Sequence, residues 1–212
     1  MDHSDHLDML REGISTPGGT WADFGSGSGA FTLALAELLG LGGEIFSIDK
    51  DGGALRTQER SFQSRLPLFP SDRLHLIPAD FTRPLEMPPL DGAIAANSLH
   101  FLREKEPAVR LIHAYLKPGG RLILVEYNVD RGNLWVPHPI SFQTWKAIAE
   151  RSGFVDTQLL HTRPSRFLKE IYSVVSFKPS GLTQLVGGCG CLGGRCPPKH
   201  PQFPPELRNS KP

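Results

Sequence analysis

The sequence predicts an α/β fold in which a mainly parallel β-sheet carries helices on both faces. Strand-like and helix-like segments alternate along the chain, an order typical of parallel sheets with helical crossovers. A glycine-rich turn, Asp23-Phe24-Gly25-Ser26-Gly27-Ser28-Gly29-Ala30, joins the first strand to a helix, as in open sheets that hold nucleotide-like ligands. The last two β-rich segments are joined by Arg163-Pro164-Ser165-Arg166. This link is too short for a helical crossover, so these two strands are predicted to be antiparallel.

The predicted helices follow from apolar residues that recur every three or four positions. In order along the chain they are 4–12, 29–40, 52–64, 104–117 and 141–152. Pro17-Gly18-Gly19 is expected to end the first helical segment and Lys117-Pro118-Gly119-Gly120 the fourth, because proline and glycine are typical of helix ends. Gly153 is predicted to follow the last helix. The buried face of that helix is expected to comprise Phe142, Trp145 and either Ile148 or Ala149.

Short apolar stretches between these helices predict the strands. They are 20–24, 44–48, 73–77, 91–96, 121–126, 155–162 and 170–177. Beyond Lys178 the composition changes to Gly, Cys and Pro, so residues 179–212 are predicted to form a largely disordered tail. We therefore expect a lead-in over 1–17, one domain over 18–178, and this tail.

The bulk composition limits the partners and the location of the protein. Its 23 basic and 22 acidic side chains give a net charge of +1, which does not favour nucleic acid as a partner. The N-terminal residues are neither basic nor apolar, and no apolar run is long enough to span a bilayer. The three cysteines lie in the tail, so no disulfide framework is expected. These features predict a cytoplasmic protein without a membrane partner.

Two acidic residues accompany the glycine turn. Asp23 precedes the first glycine by two positions, and Asp49 ends the next apolar stretch, where a carboxylate accepts hydrogen bonds from ribose hydroxyls. The spacing Gly25-x-Gly27-x-x-Ala30 also fits the relaxed dinucleotide fingerprint, which is a weak pattern by itself. Two simpler interpretations stay open: a tight turn that binds no ligand, and an Asp49 that is a solvated acid at a strand end.

Five segments in register carry a family resemblance over residues 15–178. They are Asp23-x-Gly25-x-Gly27-x-Gly29, Asp49, Ala79-Asp80-Phe81, Asp91-Gly92-Ala93-Ile94-Ala95-Ala96-Asn97 and Leu116-Lys117-Pro118-Gly119-Gly120-Arg121-Leu122. With these segments the chain resembles the class I S-adenosylmethionine-dependent methyltransferases, and most of all their small-molecule members. The resemblance implies a Rossmann-like three-layer sandwich with a seven-stranded sheet of order 3-2-1-4-5-7-6 and an antiparallel strand 7. The hairpin inferred above agrees with this topology.

The resemblance implies that S-adenosylmethionine is the cofactor and that five residues hold its methionine part. Gly25, Gly27 and Gly29 would run along this part of the molecule. Asp23 and the backbone carbonyl of Asn97 would lie near its ammonium group. Carboxylates and carbonyls suit such a cation, whereas a pyrophosphate would be better served by bare N–H groups at a helix N-terminus.

The adenosine part is implied to contact three further residues. Asp49 would accept hydrogen bonds from both ribose hydroxyls. Asp80 would accept from the adenine amino group, with Phe81 beside the ring. An alternative for Asp80 is a helix-capping acid before Thr82 and Arg83.

Catalytic residues are harder to predict, because in-line methyl transfer depends mainly on positioning and needs a base only when the nucleophile is protonated. His100 is a candidate base or substrate contact, since an imidazole titrates near neutrality. It could equally cap the next helix or bind a backbone carbonyl. Glu126 closes a buried strand, where an acid needs a partner. It is therefore expected to bind substrate, position a base, or pair with an arginine.

The acceptor is predicted to be a small molecule. Tyr127, Trp135 and His138 lie on a proline-containing loop that could form an aromatic wall over it, or a plain surface connection. The strand-4 end reads Asn97-Ser98-Leu99-His100 where enzymes acting on DNA adenine or protein glutamine often carry Asn/Asp-Pro-Pro-Tyr. The short connections leave no room for an inserted substrate domain. A monomer or homodimer is expected.

Three alternatives compete with, or add to, this interpretation. Cys189-x-Cys191-x4-Cys196-x3-His200 offers four zinc ligands, but the spacing matches no common module and the glycines make ordering costly, so no metal is predicted. An NAD(P)-dependent oxidoreductase would explain the turn and Asp49, but not Asp80-Phe81 or the terminal hairpin. A non-catalytic S-adenosylmethionine-binding module is the third.

Overall fold

The computed structural model describes residues 1–165 and 167–181. The predicted tail from residue 182 onward, with its cysteines and the zinc-ligand pattern that ends at His200, lies outside the described residues. None of the helices in the described part combines the length and the apolar character needed to cross a membrane.

The described residues form five α-helices and seven β-strands. The helices are α1 (His3–Arg11), α2 (Ala30–Leu39), α3 (Gly52–Arg65), α4 (Glu106–Tyr115) and α5 (Phe142–Arg151). The strands are β1 (Gly19–Phe24), β2 (Gly43–Asp49), β3 (Leu74–Pro78), β4 (Leu90–Ala96), β5 (Leu116–Tyr127), β6 (Val155–Ser165) and β7 (Lys169–Phe177). Each predicted element is present, with most bounds within one or two residues.

The strands form one sheet of order β3-β2-β1-β4-β5-β7-β6. In this order, each strand from β3 through β2, β1 and β4 to β5 is parallel to its neighbour. Strand β7 is antiparallel to both β5 and β6. The topology implied by the family resemblance, and the antiparallel hairpin inferred from its short link, are therefore confirmed. Because the carboxyl ends of parallel strands meet at one edge, the residues that follow β1 to β5 lie close together.

The core consists of two apolar clusters, one under each helical layer. One contains Phe24, Ile112 and Trp145 and lies beneath α4 and α5. The other contains Trp21 and Leu35 and lies beneath α1 and α2. Successive residues of a strand point to opposite faces, which is why Trp21 and Phe24 belong to different clusters. Helices therefore cover both faces of the sheet, as predicted.

The predicted boundary between the fourth helix and the fifth strand is wrong. The sequence places a helix over 104–117 and a strand from 121 onward, but α4 ends at Tyr115 and β5 begins at Leu116. Leu116 pairs with Leu90, and a bulge follows before the regular ladder resumes. The Lys-Pro-Gly-Gly segment is thus an irregular strand entry. Proline and glycine suit such a bulge as well as a helix end, so composition could not distinguish the two.

Candidate active site

A cavity of about 690 Å³ lies at the carboxyl ends of β1 to β4. This is the edge at which open α/β sheets bind ligands, and its size falls in the range of roughly 300–1,000 Å³ typical of small-molecule sites. Its lining comprises Asp23, Gly25, Ser26, Gly27, Ser28, Ala30, Phe31, Asp49, Lys50, Ala79, Asp80, Phe81, Thr82, Ala96, Asn97, Ser98, Phe101 and Leu102.

The glycine turn forms one wall of the cavity. Gly25, Gly27 and Gly29 all adopt positive φ, at +79°, +54° and +84°, a region that other residues enter only with strain. A β-carbon on Gly25 would lie 2.5 Å from Cβ of Ser98, and one on Gly29 would lie 2.3 Å from Cγ of Gln58. The turn therefore needs glycine at both positions, and this keeps its backbone against the cavity.

Asp23 offers a buried carboxyl group to the cavity. Its side chain is 1% exposed, and Thr32 donates a hydrogen bond of 2.6 Å from Oγ1 to Oδ2. Burial raises the pKa of Asp23 to about 7, and the nearby charge of Asp49 raises it too, against the opposing effect of the Thr32 hydrogen bond. Oδ1 lacks a hydrogen-bond partner among the described residues. A buried acid with an unpartnered oxygen favours a cationic ligand.

Two further polar atoms beside Asp23 lack partners within the described part of the chain. They are Oδ1 of Asn97 and Oγ of Ser98, on the turn that follows β4. Asn97 adopts φ +52°, and its N–H donates to the Val125 carbonyl at 2.9 Å, which fixes the turn against β5. Buried polar groups are almost always hydrogen-bonded in native proteins. Three unpartnered atoms around one cavity therefore indicate that a polar ligand belongs there.

Asp49 ties the glycine turn to the end of β2. Its Oδ2 accepts the Gly27 N–H at 2.7 Å, and its Oδ1 accepts the Asp51 N–H at 2.8 Å. The residue is thus more than a solvated acid at a strand end. A carboxylate oxygen has two lone pairs, so both oxygens can still accept hydrogen bonds from ligand hydroxyls.

Asp80 and Phe81 line the cavity where the chain leaves β3. Asp80 accepts hydrogen bonds from Thr82, at 2.7 Å from Oγ1 and at 3.0 Å from N, and these bonds lower the pKa of its carboxyl group. Residues 81–83 form a turn and no helix follows over 84–89. The helix-capping alternative for Asp80 is therefore wrong.

His100 and Glu126 form a buried pair where β4 and β5 end. Nδ1 of His100 lies 2.9 Å from each carboxylate oxygen of Glu126, and the two residues are 3% and 0% exposed. The Tyr127 N–H also donates to Glu126, at 2.9 Å. A carboxylate at Nδ1 favours the imidazole tautomer that carries its proton on Nδ1. The partner of Glu126 in the described structure is therefore a histidine and not an arginine.

This pair lies beside the cavity and does not line it. The link between them is Phe101, a lining residue whose ring centroid is 4.3 Å from that of His100. The three predicted acceptor residues lie farther out. Tyr127 has its ring 6.3 Å from His100, Trp135 is 71% exposed, and the exposed His138 donates its N–H to the His100 carbonyl at 3.0 Å. The structure thus brings the loop to the His100–Glu126 pair, and none of the three lines the cavity.

Several residues of the site carry no sequence signal that marks them. Ser98 and Lys50 line the cavity, and each simply follows a residue that the motifs do identify. Gln58 is fully buried on α3 and accepts a 3.0 Å hydrogen bond from Ser47, although a glutamine on a polar helix suggests solvent exposure. Phe31 of α2 is buried in the core and also lines the cavity. Among the described residues, no cluster of His, Cys, Asp or Glu forms a metal site.

Comparison with known families gives one match. Residues 22–122 match a family described as a methyltransferase domain. These residues run from β1 into β5 and contain the whole glycine turn. A search of curated protein sequences found no significant match.

Solved structures with the same fold include three proteins crystallised with the cofactor or its product. One is a Haemonchus contortus phosphoethanolamine N-methyltransferase 2 with phosphomonomethylethanolamine and S-adenosylhomocysteine, with a TM-score of 0.67 and 16% identity over 83% of this chain and 52% of that chain. The second is a Synechocystis magnesium protoporphyrin IX methyltransferase with S-adenosylmethionine, with a TM-score of 0.61 and 17% identity over 83% of this chain and 77% of that chain. The third is a Burkholderia thailandensis 1,6-didemethyltoxoflavin-N1-methyltransferase with 1,6-didemethyltoxoflavin and S-adenosylhomocysteine, with a TM-score of 0.65 and 16% identity over 84% of this chain and 78% of that chain. At such low identities the similarity shows the fold.

Proposed function

We propose that this chain is a class I S-adenosylmethionine-dependent methyltransferase that acts on a small-molecule acceptor, because residues 22–122 match a methyltransferase domain and the sheet has the strand order of that class. The observation that carries the proposal is the set of three buried, unpartnered polar atoms on Asp23, Asn97 and Ser98, all of them residues that line the cavity together with the glycine turn. These atoms and the space left by the glycines fit the methionine part of S-adenosylmethionine. A dinucleotide pyrophosphate would instead place negative charge against the buried Asp23.

The methionine part is assigned to the wall formed by β1, β4 and the glycine turn. Asp23 Oδ1 would accept from the ammonium group, together with the Asn97 backbone carbonyl. Gly25, Gly27 and Gly29 would leave room for the chain of the amino acid. Ser98 Oγ adds a hydroxyl that can donate to the carboxylate.

The adenosine part is assigned to the ends of β2 and β3. Asp49 would accept hydrogen bonds from the two ribose hydroxyls, because two backbone N–H groups already fix the position of its carboxylate. Asp80 would accept from the adenine amino group, since its hydrogen bonds with Thr82 keep the carboxylate ionised and oriented. Phe81 would cover one side of the base.

His100 is proposed as the general base and Glu126 as the residue that positions it. S-adenosylmethionine, when bound, supplies a methyl group activated by an adjacent sulfonium. Glu126 holds the Nδ1 proton of His100, so the Nε2 lone pair is available to accept the proton of an acceptor hydroxyl or amine. The cavity holds cofactor and acceptor together, and this positioning provides most of the rate enhancement. Tyr127, at the end of β5, and Trp135 and His138, on the loop that follows, are proposed to contact the acceptor.

Cofactor binding is tested first and separately. The expected result is micromolar binding of S-adenosylhomocysteine by calorimetry, with no comparable binding of NADH. Binding of NADH without binding of S-adenosylhomocysteine would contradict the proposal. Transfer of labelled methyl groups to a panel of hydroxyl, amine and carbon acceptors then distinguishes an enzyme from a non-catalytic binding module.

Replacement of Asp49 with alanine is expected to weaken S-adenosylhomocysteine binding by about 1–3 kcal/mol, because two hydroxyls lose a charged acceptor. Calorimetry measures the change. Asp51→Ala is the matched control, because Asp51 caps α3 through the N–H groups of Gly53 and Ala54 and does not line the cavity. An Asp49→Ala dissociation constant equal to that of the wild type would remove Asp49 from the site.

Cofactor affinity is expected to rise with pH through about 7, the pKa to which burial raises Asp23. Only the ionised carboxylate attracts an ammonium group, so below this pH the affinity falls by up to about tenfold per pH unit. Calorimetric titrations between about pH 5.5 and about pH 8.5 bracket the transition. Asp23→Asn should bind the cofactor weakly and show no change in affinity near pH 7. A pH-independent affinity in the wild type would contradict the proposal that Asp23 binds the ammonium group.

The same carboxyl group has the opposite effect on the stability of the free protein. Its folded-state pKa is raised above the ordinary value of 3.8, so the folded protein holds the proton more tightly than the unfolded chain. The resulting stabilisation is present below about pH 4 and is lost as the pH rises through about 7. Bound cofactor should therefore raise the melting temperature more at pH 8 than at pH 6.

A further inference from the structure

We infer that the acceptor is a neutral molecule with an extended apolar ring system, bound along a row of aromatic rings that leads from the cavity to the β6–β7 hairpin. This inference rests on the proposed function and names the substrate class of the same site. The row, here called the aromatic track, consists of Phe101, His100, Tyr127 and Phe167.

The aromatic track is continuous from the cavity outward. The ring of Phe101, which lines the cavity, lies 4.3 Å from that of His100; His100 lies 6.3 Å from Tyr127, and Tyr127 lies 5.8 Å from Phe167. All four residues lie at the carboxyl edge of β4 and β5 or on the hairpin that follows. A planar ligand can therefore contact the exposed rings at the two ends of the track, on either side of the buried imidazole of His100.

Both ends of the track are open to solvent. Phe101 is 64% exposed and Phe167 is 45% exposed, whereas the imidazole between them is buried. Large apolar side chains grouped at the mouth of a cavity mark a binding surface more often than isolated ones do. The exposed ring faces are available for an acceptor that reaches beyond the cofactor cavity.

A loop next to the track holds two more apolar side chains in water. Leu134 is 89% exposed and Trp135 is 71% exposed. The loop is fixed at its base: Asn133 Oδ1 accepts the N–H groups of Trp135 and Val136 at 2.9 Å, and Val136 is buried. The backbone hydrogen bond from His138 to His100 joins this loop to the track. Its apolar tip is thus held beside the same opening.

The distribution of charge around the cavity separates a cofactor side from an acceptor side. Its charged lining residues among those described are Asp23, Asp49, Lys50 and Asp80, all from β1 to β3 and the turns that follow them. The residues contributed by β4 and its turn are uncharged: Ala96, Asn97, Ser98, Phe101 and Leu102. The His100–Glu126 pair lies on this uncharged side, where β4 and β5 end.

A charged acceptor would therefore meet no opposite charge on the lining next to the base. Lys50 directly follows Asp49 and lies at the ribose end of the cavity. Lys105, the residue that precedes α4, directs Nζ to the Leu102 carbonyl at 2.8 Å, and burial lowers its pKa. A carboxylate or phosphate on the acceptor would lose water without a partner, whereas an apolar ring system would gain from burial.

Calorimetry on protein saturated with S-adenosylhomocysteine tests the inference with phenol, 1-naphthol and 9-phenanthrol as probes. We expect affinity to rise with each added ring, and 1-naphthoate to bind at least about tenfold more weakly than 1-naphthol. Phe101→Ala and Trp135→Ala should each weaken 1-naphthol binding by about 5- to 20-fold. Leu68→Ala is the matched control, because Leu68 is 82% exposed on the connection between α3 and β3, and it should leave 1-naphthol binding unchanged.

Three outcomes would overturn the inference: no gain in affinity with ring number, tighter binding of 1-naphthoate than of 1-naphthol, or unchanged 1-naphthol binding in both the Phe101→Ala and the Trp135→Ala variants. Sedimentation with phosphatidylcholine vesicles that is lost in Trp135→Ala would also overturn it, since the apolar tip would then be a membrane contact. Failure of S-adenosylhomocysteine to bind the wild type is measured beforehand. That result would contradict the proposed function itself, so failure of the proposed function is distinguished from failure of the inference about the acceptor.

Discussion

Replacement of His100 with alanine is expected to lower the rate of methyl transfer to 1-naphthol by about 10²- to 10⁴-fold, the usual contribution of a general base. The affinity for S-adenosylhomocysteine should change little, because His100 does not line the cavity. The expected loss of rate follows from the orientation of the imidazole. The carboxylate of Glu126 lies 2.9 Å from Nδ1, so we propose that Nε2 is the basic atom. Initial rates with labelled cofactor measure the effect.

The control for this prediction is a second histidine–glutamate pair elsewhere on the sheet. Nε2 of His75 on β3 lies 3.0 Å from Oε1 of Glu44 on β2, and neither residue lines the cavity. His75→Ala should keep the wild-type rate. A His100→Ala variant that folds, binds S-adenosylhomocysteine and retains a rate within a few-fold of the wild type would contradict the role of His100.

Glu126→Gln separates positioning from simple support of the fold. Glutamine keeps the size of the side chain but can present its amide N–H to Nδ1, which favours the wrong imidazole tautomer. The variant should therefore lose rate while binding S-adenosylhomocysteine normally, and its rate should depend on pH differently from that of the wild type. A merely structural role for Glu126 would change the melting temperature and leave the shape of the pH profile intact.

The sequence predicts the cofactor side of the cavity well, because the fold itself brings those residues together. Asp23, Asp49 and Asp80 each stand where a parallel strand ends, and parallel strands end at one edge. Once strand–helix alternation indicated a parallel sheet, the proximity of the three acids followed. The same reasoning placed His100 and Glu126 after β4 and β5, although it could not identify each as the partner of the other.

Features that depend on side-chain packing could not be predicted. The pKa of Asp23 follows from its burial, which no local pattern reveals. Gln58 looks like a solvent-exposed helix residue, yet it lies behind Gly29. The loop of Trp135 is held by Asn133 and the buried Val136, and no pattern in the sequence reveals that this leaves the indole exposed to solvent. Distances between a loop and a cavity depend on such anchors and not on spacing along the chain.

Substitution of Gly25 by alanine tests whether the close approach of the glycine turn is needed for cofactor binding. Gly25 adopts φ +79°, and its β-carbon would lie 2.5 Å from Cβ of Ser98 and 3.1 Å from Cε1 of Phe81. The left-handed conformation costs an alanine about 1–2 kcal/mol. The contact with Ser98 in addition forces the two cavity walls apart. The displaced walls no longer fit the bound molecule, so the affinity for S-adenosylhomocysteine should fall by about 10- to 100-fold.

Gly119→Ala separates backbone strain from loss of the close approach. Gly119 has nearly the same φ, +78°, but apart from Gly119 and its two chain neighbours no described residue has an atom within 4 Å of its β-carbon. It stands at the start of β5, away from the cavity. Both variants should therefore lose stability in thermal denaturation, because both place alanine in the left-handed region, and Gly25→Ala should lose more because of its contact with Ser98. Only Gly25→Ala should lose affinity in calorimetry. Equal affinities in the two variants would mean that the cofactor does not depend on the contact between the glycine turn and Ser98, and the assignment of the methionine part to this wall would then be wrong.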